Sequence, residues 1–133
     1  MAGFSQYTQQ KLIDHLLKTA AFTVPTNIYV ALYTTPPTDT GGGTEESGTG
    51  YSRVVCNSWN AATAATPSVA TNSGIVSYGN AGGSNWATVS GFGLFDTVSG
   101  GNLLGWATVT TPKTINSGDA VSFAAGAIQV TLD

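Results

Sequence analysis

Charge is what this sequence has least of. Asp, Glu, Lys and Arg make up 8% of its 133 residues, against about 25% in an ordinary soluble domain. From Val54 to Phe95 none of the four occurs, and Ser, Thr, Asn and Gly supply the polarity. A surface ion must be desolvated before it can be buried; a neutral, hydroxyl-rich surface carries no such cost. The shortage predicts either a subunit packed against neighbours or an extracellular domain with a Ser/Thr surface. In the first case the stretch 54–95 supplies part of a homo-oligomer contact, most simply in a trimer.

Basic residues are scarcer still: Lys11, Lys18, Arg53 and Lys113, in a chain of net charge −3. Nucleic-acid binding needs clustered Lys and Arg to displace counterions, so no nucleic-acid partner is expected. One histidine and one cysteine cannot make a zinc site, and no cofactor is implied. Cys56 has no internal disulfide partner and reads as a small buried hydrophobe, consistent with folding in a reducing cytoplasm. No apolar run approaches the ~20 residues that span a bilayer, so no membrane role is expected. The opening "MAGFSQYTQQ" has no apolar h-region, and a signal peptide is not expected. Catalytic sets are equally thin. His15 sits in a helical pattern beside Asp14, nothing pairs it with Cys56, and Glu45 and Glu46 are adjacent rather than opposed. The chain is read as non-enzymatic.

What is present is alternation. In "SQYTQQKLIDHLLKTAAF" Leu12, Ile13, Leu16, Leu17 and Ala20 recur at helical spacing, Ser5 or Thr8 can cap the start, and Pro25 stops any continuation. This predicts a helix over about 5–18, docked by its Leu/Ile stripe. From there the period is two. "NIYVALYTT" sets Ile28, Val30 and Leu32 against Tyr29, Ala31 and Tyr33. Further strands are expected at 51–57, 68–72, 74–78, 86–95, 103–110, 113–116, 120–123 and 127–132. Turn signals stand at 72–74, 79–85, 96–101 and 116–119. Short strands parted by Gly/Asn/Ser turns predict a mainly β protein: one antiparallel, jelly-roll-like sandwich over 1–133 with one short N-terminal helix.

The segment "TTPPTDTGGGTEESGTGYSR" (34–53) is the most site-like stretch. It lacks the lysine and following helix of a phosphate loop. Asp39, Glu45 and Glu46 offer oxygens for calcium, but not at EF-hand spacing. Pro36 and Pro37 stiffen its start and Gly41–Gly43 permit unusual backbone. Arg53 can pair with Glu45 or Glu46. The segment reads as a contact loop, with Pro36, Pro37, Asp39, Glu45, Glu46, Tyr51 and Arg53 as interface candidates, or as a plain surface connection. Trp86 and Trp106 read as core; Trp59 is the candidate for an exposed contact, and with Tyr51 the basis of a carbohydrate-binding reading.

In order along the chain, "KLIDHLL", "IYVALYTTPPTD", "GGGTEESG", "GYSR" and "NWATVSGFGLFDTVSGGNLLGWATVTTPKTINSGDAVSFAAGAIQVTLD" resemble a family of small tailed-bacteriophage structural proteins, often labelled tail fibre proteins. The resemblance implies a virion protein made in the host cell cytoplasm, with no catalytic residues, and leaves capsid and tail both open. The single small domain, the scarcity of charge and the absence of a fibre shaft favour a capsid decoration (cement) subunit bound to the major capsid protein or other virion proteins. The alternative is a tail fibre or baseplate component.

Overall fold

The computed structural model describes residues 2–132; Met1 and Asp133, the ends of the expected domain, lie outside them. Strand β1 (Ala2–Phe4) leads into helix α1 (Gln6–Leu16). There follow β2 (Tyr29–Thr35), β3 (Thr44–Glu45), β4 (Val54–Val55), β5 (Ser68–Thr71), β6 (Val76–Asn80), β7 (Val89–Phe95), β8 (Leu103–Lys113), β9 (Ala120–Phe123) and β10 (Gln129–Leu132). The larger layer is a six-stranded sheet in the order β1-β8-β7-β2-β3, with β4 also paired to β2. Two antiparallel ladders, β5–β10 and β6–β9, supply the opposing layer. The result is an antiparallel β-sandwich of unequal layers.

The core explains the alternation in β2. Val30 packs with Phe92, Leu94 and Leu104 of its own sheet and with Val76 and Ile128 opposite. Leu32 joins Val89, Trp86 and Ile115. On the other face Ala31, Tyr33 and Phe95 form a third cluster. Both faces of β2 are thus covered, as a central strand requires. Within the uncharged stretch 54–95, β7 is core for the same reason and is buried along nearly its whole length, whereas 60–67 is exposed.

Several strand boundaries differ from the periodicity. Pairing in 51–57 is confined to Val54–Val55, because Tyr51 and Arg53 bond through their side chains instead. The strand expected at 113–116 does not form; β8 runs on to Lys113 through an irregular register in which Val89 faces Lys113 and Gly91 faces Thr108. Pro112, with no N–H to donate, falls inside that irregularity. β1 and β3 are short pairings that carry no sequence period.

Helix α1 departs most from expectation. Ser5 caps it, accepting from the Thr8 N–H at 3.2 Å. The Ser5 backbone N–H donates to Leu104 O and its hydroxyl to Leu103 O. These bonds, with β1 pairing onto β8, set the phase of the helix before its Leu/Ile stripe is reached. The docked side is Tyr7, Thr8 and Leu12, with Thr8 the only buried helical residue. Ile13, Leu16 and Leu17 face outward, 57%, 77% and 70% exposed, and Ala20 is exposed too. Of the expected stripe only Leu12 lies on the docked side, and docking through the rest is overturned.

Candidate interaction surface

The loop 34–53 is built from the inside. Its backbone leaves β2 at Thr35, passes the fully buried Pro37, and reverses at Thr38–Gly41, whose N–H and C=O groups exchange bonds of 2.9 and 2.8 Å. Gly41, Gly42 and Gly43 all have positive φ, the region closed to most side chains. At Gly43 a Cβ would also strike the backbone at Thr35 and Pro36. The chain then returns as β3 alongside β2, with Glu45 opposite Tyr33.

Glu45 lies at the centre of a polar cluster. Its carboxylate accepts from Arg53 Nε (2.9 Å) and Nη2 (2.8 Å), a forked ion pair, and from the Tyr51 hydroxyl (2.9 Å). That hydroxyl accepts in turn from the Leu32 N–H at 3.0 Å. Arg53 Nη1 donates to Thr97 O and Gly100 O, at 3.0 and 2.8 Å, in the β7–β8 turn. The guanidinium lies 3.6 Å from the centre of the Phe95 ring. Arg53 thus ties three pieces of chain together: its own segment just before β4, β3 and the β7–β8 turn. Desolvation raises the Glu45 carboxyl, but the bonds from Arg53 and Tyr51 and the Arg53 charge outweigh it and hold the group below its ordinary value. Burial first, and then the Glu45 charge, push the Tyr51 and Tyr33 hydroxyls upward.

The remaining candidates divide by exposure. Glu46 is buried: Oε1 accepts from the Ser47 and Gly48 N–H groups, while Oε2 has no hydrogen-bond partner among the described residues. Pro37 and Arg53 are buried too, so these three side chains shape the loop from within the chain's own fold. Asp39 is exposed and Pro36 half-buried; the Asp39 carboxylate accepts from Trp106 Nε1 at 2.8 Å and its carbonyl from the Gln6 N–H. An open hollow of about 470 Å³ lies beside the loop, lined in part by Gln6, Tyr33, Asp39, Arg53, Phe95 and Asn102. Its charged groups already have internal partners.

Trp59 does not stand out from the surface. It is half-buried against the main core, and its Nε1 donates to Cys56 O at 2.8 Å. Trp86 and Trp106 are buried. His15 Nδ1 accepts from the Phe22 N–H, which folds the segment after α1 back on the helix. Among the described residues no three His, Cys, Asp or Glu groups come together as a metal cluster. No helix among them is long and apolar enough to cross a membrane.

Two features escaped the sequence. Asn72, in a turn signal, is fully buried: its Nδ2 donates to Gly74 O and Ala124 O, and its Oδ1 accepts from the Ile128 N–H. It joins the β5–β6 turn to the β9–β10 connection; only its place in "NSG" hinted at it. The exposed face of α1 was hidden because apolar spacing normally marks the docked side.

Among the described residues the fold is an antiparallel β-sandwich whose loop 34–53 is held by bonds within the chain. The family model described as podophage GP4 fiber I protein gp80 matches residues 3–131. The chain belongs to that family of phage virion fibre proteins. No curated protein matches it. The family favours the fibre alternative over the capsid-decoration role first expected.

Proposed function

We propose that this protein is a non-enzymatic component of a phage tail fibre, or of the baseplate region that carries one, and that it acts by packing against other virion proteins. The observation that carries the reading is the family match over residues 3–131. The architecture supports it. The loop 34–53 is stiffened by a forked ion pair and paired short strands, so it keeps its shape against a neighbour without ordering cost. With Arg53 buried in its pair, the remaining basic side chains are Lys11, Lys18 and Lys113, too few and scattered for a nucleic-acid footprint. The carbohydrate reading is disfavoured by ring packing: Trp59 lies against the main core, and Tyr51 stacks on Tyr78 and meets Trp86 edge-on.

The test is location in the intact particle, by electron microscopy with a labelled antibody. Signal at the tail supports the proposal. Signal over the shell facets returns the protein to capsid decoration, and a particle without the protein refutes both.

A further inference from the structure

Two unpartnered surface features lie at opposite ends of β8. At the Leu103 end, Ser5 anchors α1, whose outer face presents Ile13, Leu16 and Leu17; Val24, in the segment that folds back, is 80% exposed. At the Lys113 end a groove of about 530 Å³ opens between the last residues of β8 and β9. From Leu104 to Lys113 the strand runs roughly 30 Å at about 3.3 Å per residue.

The groove has an apolar floor and a polar rim. Leu32, Val89 and Ile115 lie at its base, Val109, Val121 and Phe123 along its walls. β9 pairs only with β6, so among the described residues its other edge has no strand beside it. Lys113 and Asp119 stand on the rim. The ridge is flanked by the matching pair: Asp14 on the helix, with Oδ1 accepting from the Thr19 hydroxyl, precedes Leu16 and Leu17, and Lys18, just beyond the helix end, follows them. Three neighbouring large side chains in water on one helix face are what an interface leaves behind when its partner is removed.

We propose that the outer face of α1 on one copy of this chain docks into the β8–β9 groove of the next, with Asp14 toward Lys113 and Lys18 toward Asp119. Ridge and groove use different residues, so the contact is heterologous: each copy gives a ridge to one neighbour and a groove to the other. Such contacts close into a ring or extend into a filament. The inference rests on these surfaces and not on where in the virion the protein sits.

The experiment is complementation, read by light scattering and analytical ultracentrifugation of the full chain. Wild type should associate. Leu16→Asp/Leu17→Asp (ridge) and Val121→Asp (groove) should each weaken association at least about tenfold, with unchanged circular dichroism. Mixed together, they should form a one-to-one heterodimer, because one intact ridge still meets one intact groove. The charge exchange Asp14→Lys with Lys113→Glu serves if Val121→Asp misfolds: each single change weakens association and the double variant recovers it. Wild type that stays monomeric up to about 1 mM, ridge variants that associate normally, or a mixture that fails to pair would overturn the proposal.

Discussion

Replacing Arg53 with alanine should be among the most damaging single changes in this protein. The side chain is 7% exposed and Glu45 28%. Alanine removes both arms of the fork, strands the Thr97 and Gly100 carbonyls, and uncovers Phe95. Most of the cost comes from leaving the Glu45 carboxylate partly buried without its cation. Removing one partner of a buried pair costs about 3–5 kcal/mol, a large share of the 5–15 kcal/mol or so that holds a domain folded. For a chain of this length that corresponds to roughly 10–20 °C in Tm. Arg53→Lys keeps the charge but loses the planar fork and the ring stacking, and should cost about 1–3 kcal/mol. The double variant Glu45→Leu/Arg53→Met removes both charges and should be more stable than Arg53→Ala. Urea unfolding followed by tryptophan fluorescence measures all three. A loss below about 1 kcal/mol for Arg53→Ala, or a double variant less stable than the single, would refute the account.

Glu45 also sets an acid limit. Its folded value is depressed, so its stabilisation is complete above the unfolded value near 4.5 and is lost as pH falls through the lower folded value; Glu45→Gln should flatten the stability profile in that window. Burial raises the Cys56 thiol, so a disulfide reagent should leave it unmodified in the folded protein and label it on denaturation. A Cβ at Gly48 would run into the Trp86 indole; Gly48→Ala should cost about 1–3 kcal/mol and shift tryptophan emission, while emission and stability matching wild type would show that the ring can move aside. Asn72→Ala removes the side-chain partner of the buried Ile128 N–H and of the Gly74 and Ala124 carbonyls and should lower stability by about 1–3 kcal/mol in the same urea assay.

The local elements were legible because local chemistry makes them. The two-residue alternation of "IYVALYTT" is β2, and "AVSF" between turn residues is β9. Ser5 followed by a polar turn is a cap, and three glycines in a row take positive φ. The Arg53–Glu45 pair was visible as one of two possibilities, since opposite charges eight residues apart across a glycine turn readily meet. Glu46 was not separable from Glu45 by sequence: strand alternation turns one toward Arg53 and the other inward onto the Ser47 and Gly48 N–H groups.

Sequence alone determined the class of the fold, the strand-forming segments and the absence of basic clusters, because these depend on residue type and short-range spacing. Tertiary structure decided which side of each element is covered. The stripe Ile13, Leu16 and Leu17 has the period of a docked helix, yet β1 pairing and the Ser5 bonds to Leu103 and Leu104 orient α1 first and turn that stripe outward. Helical period says that a face is apolar. What lies against that face depends on contacts made about a hundred residues away along the chain, and those exist only once the sheet has formed.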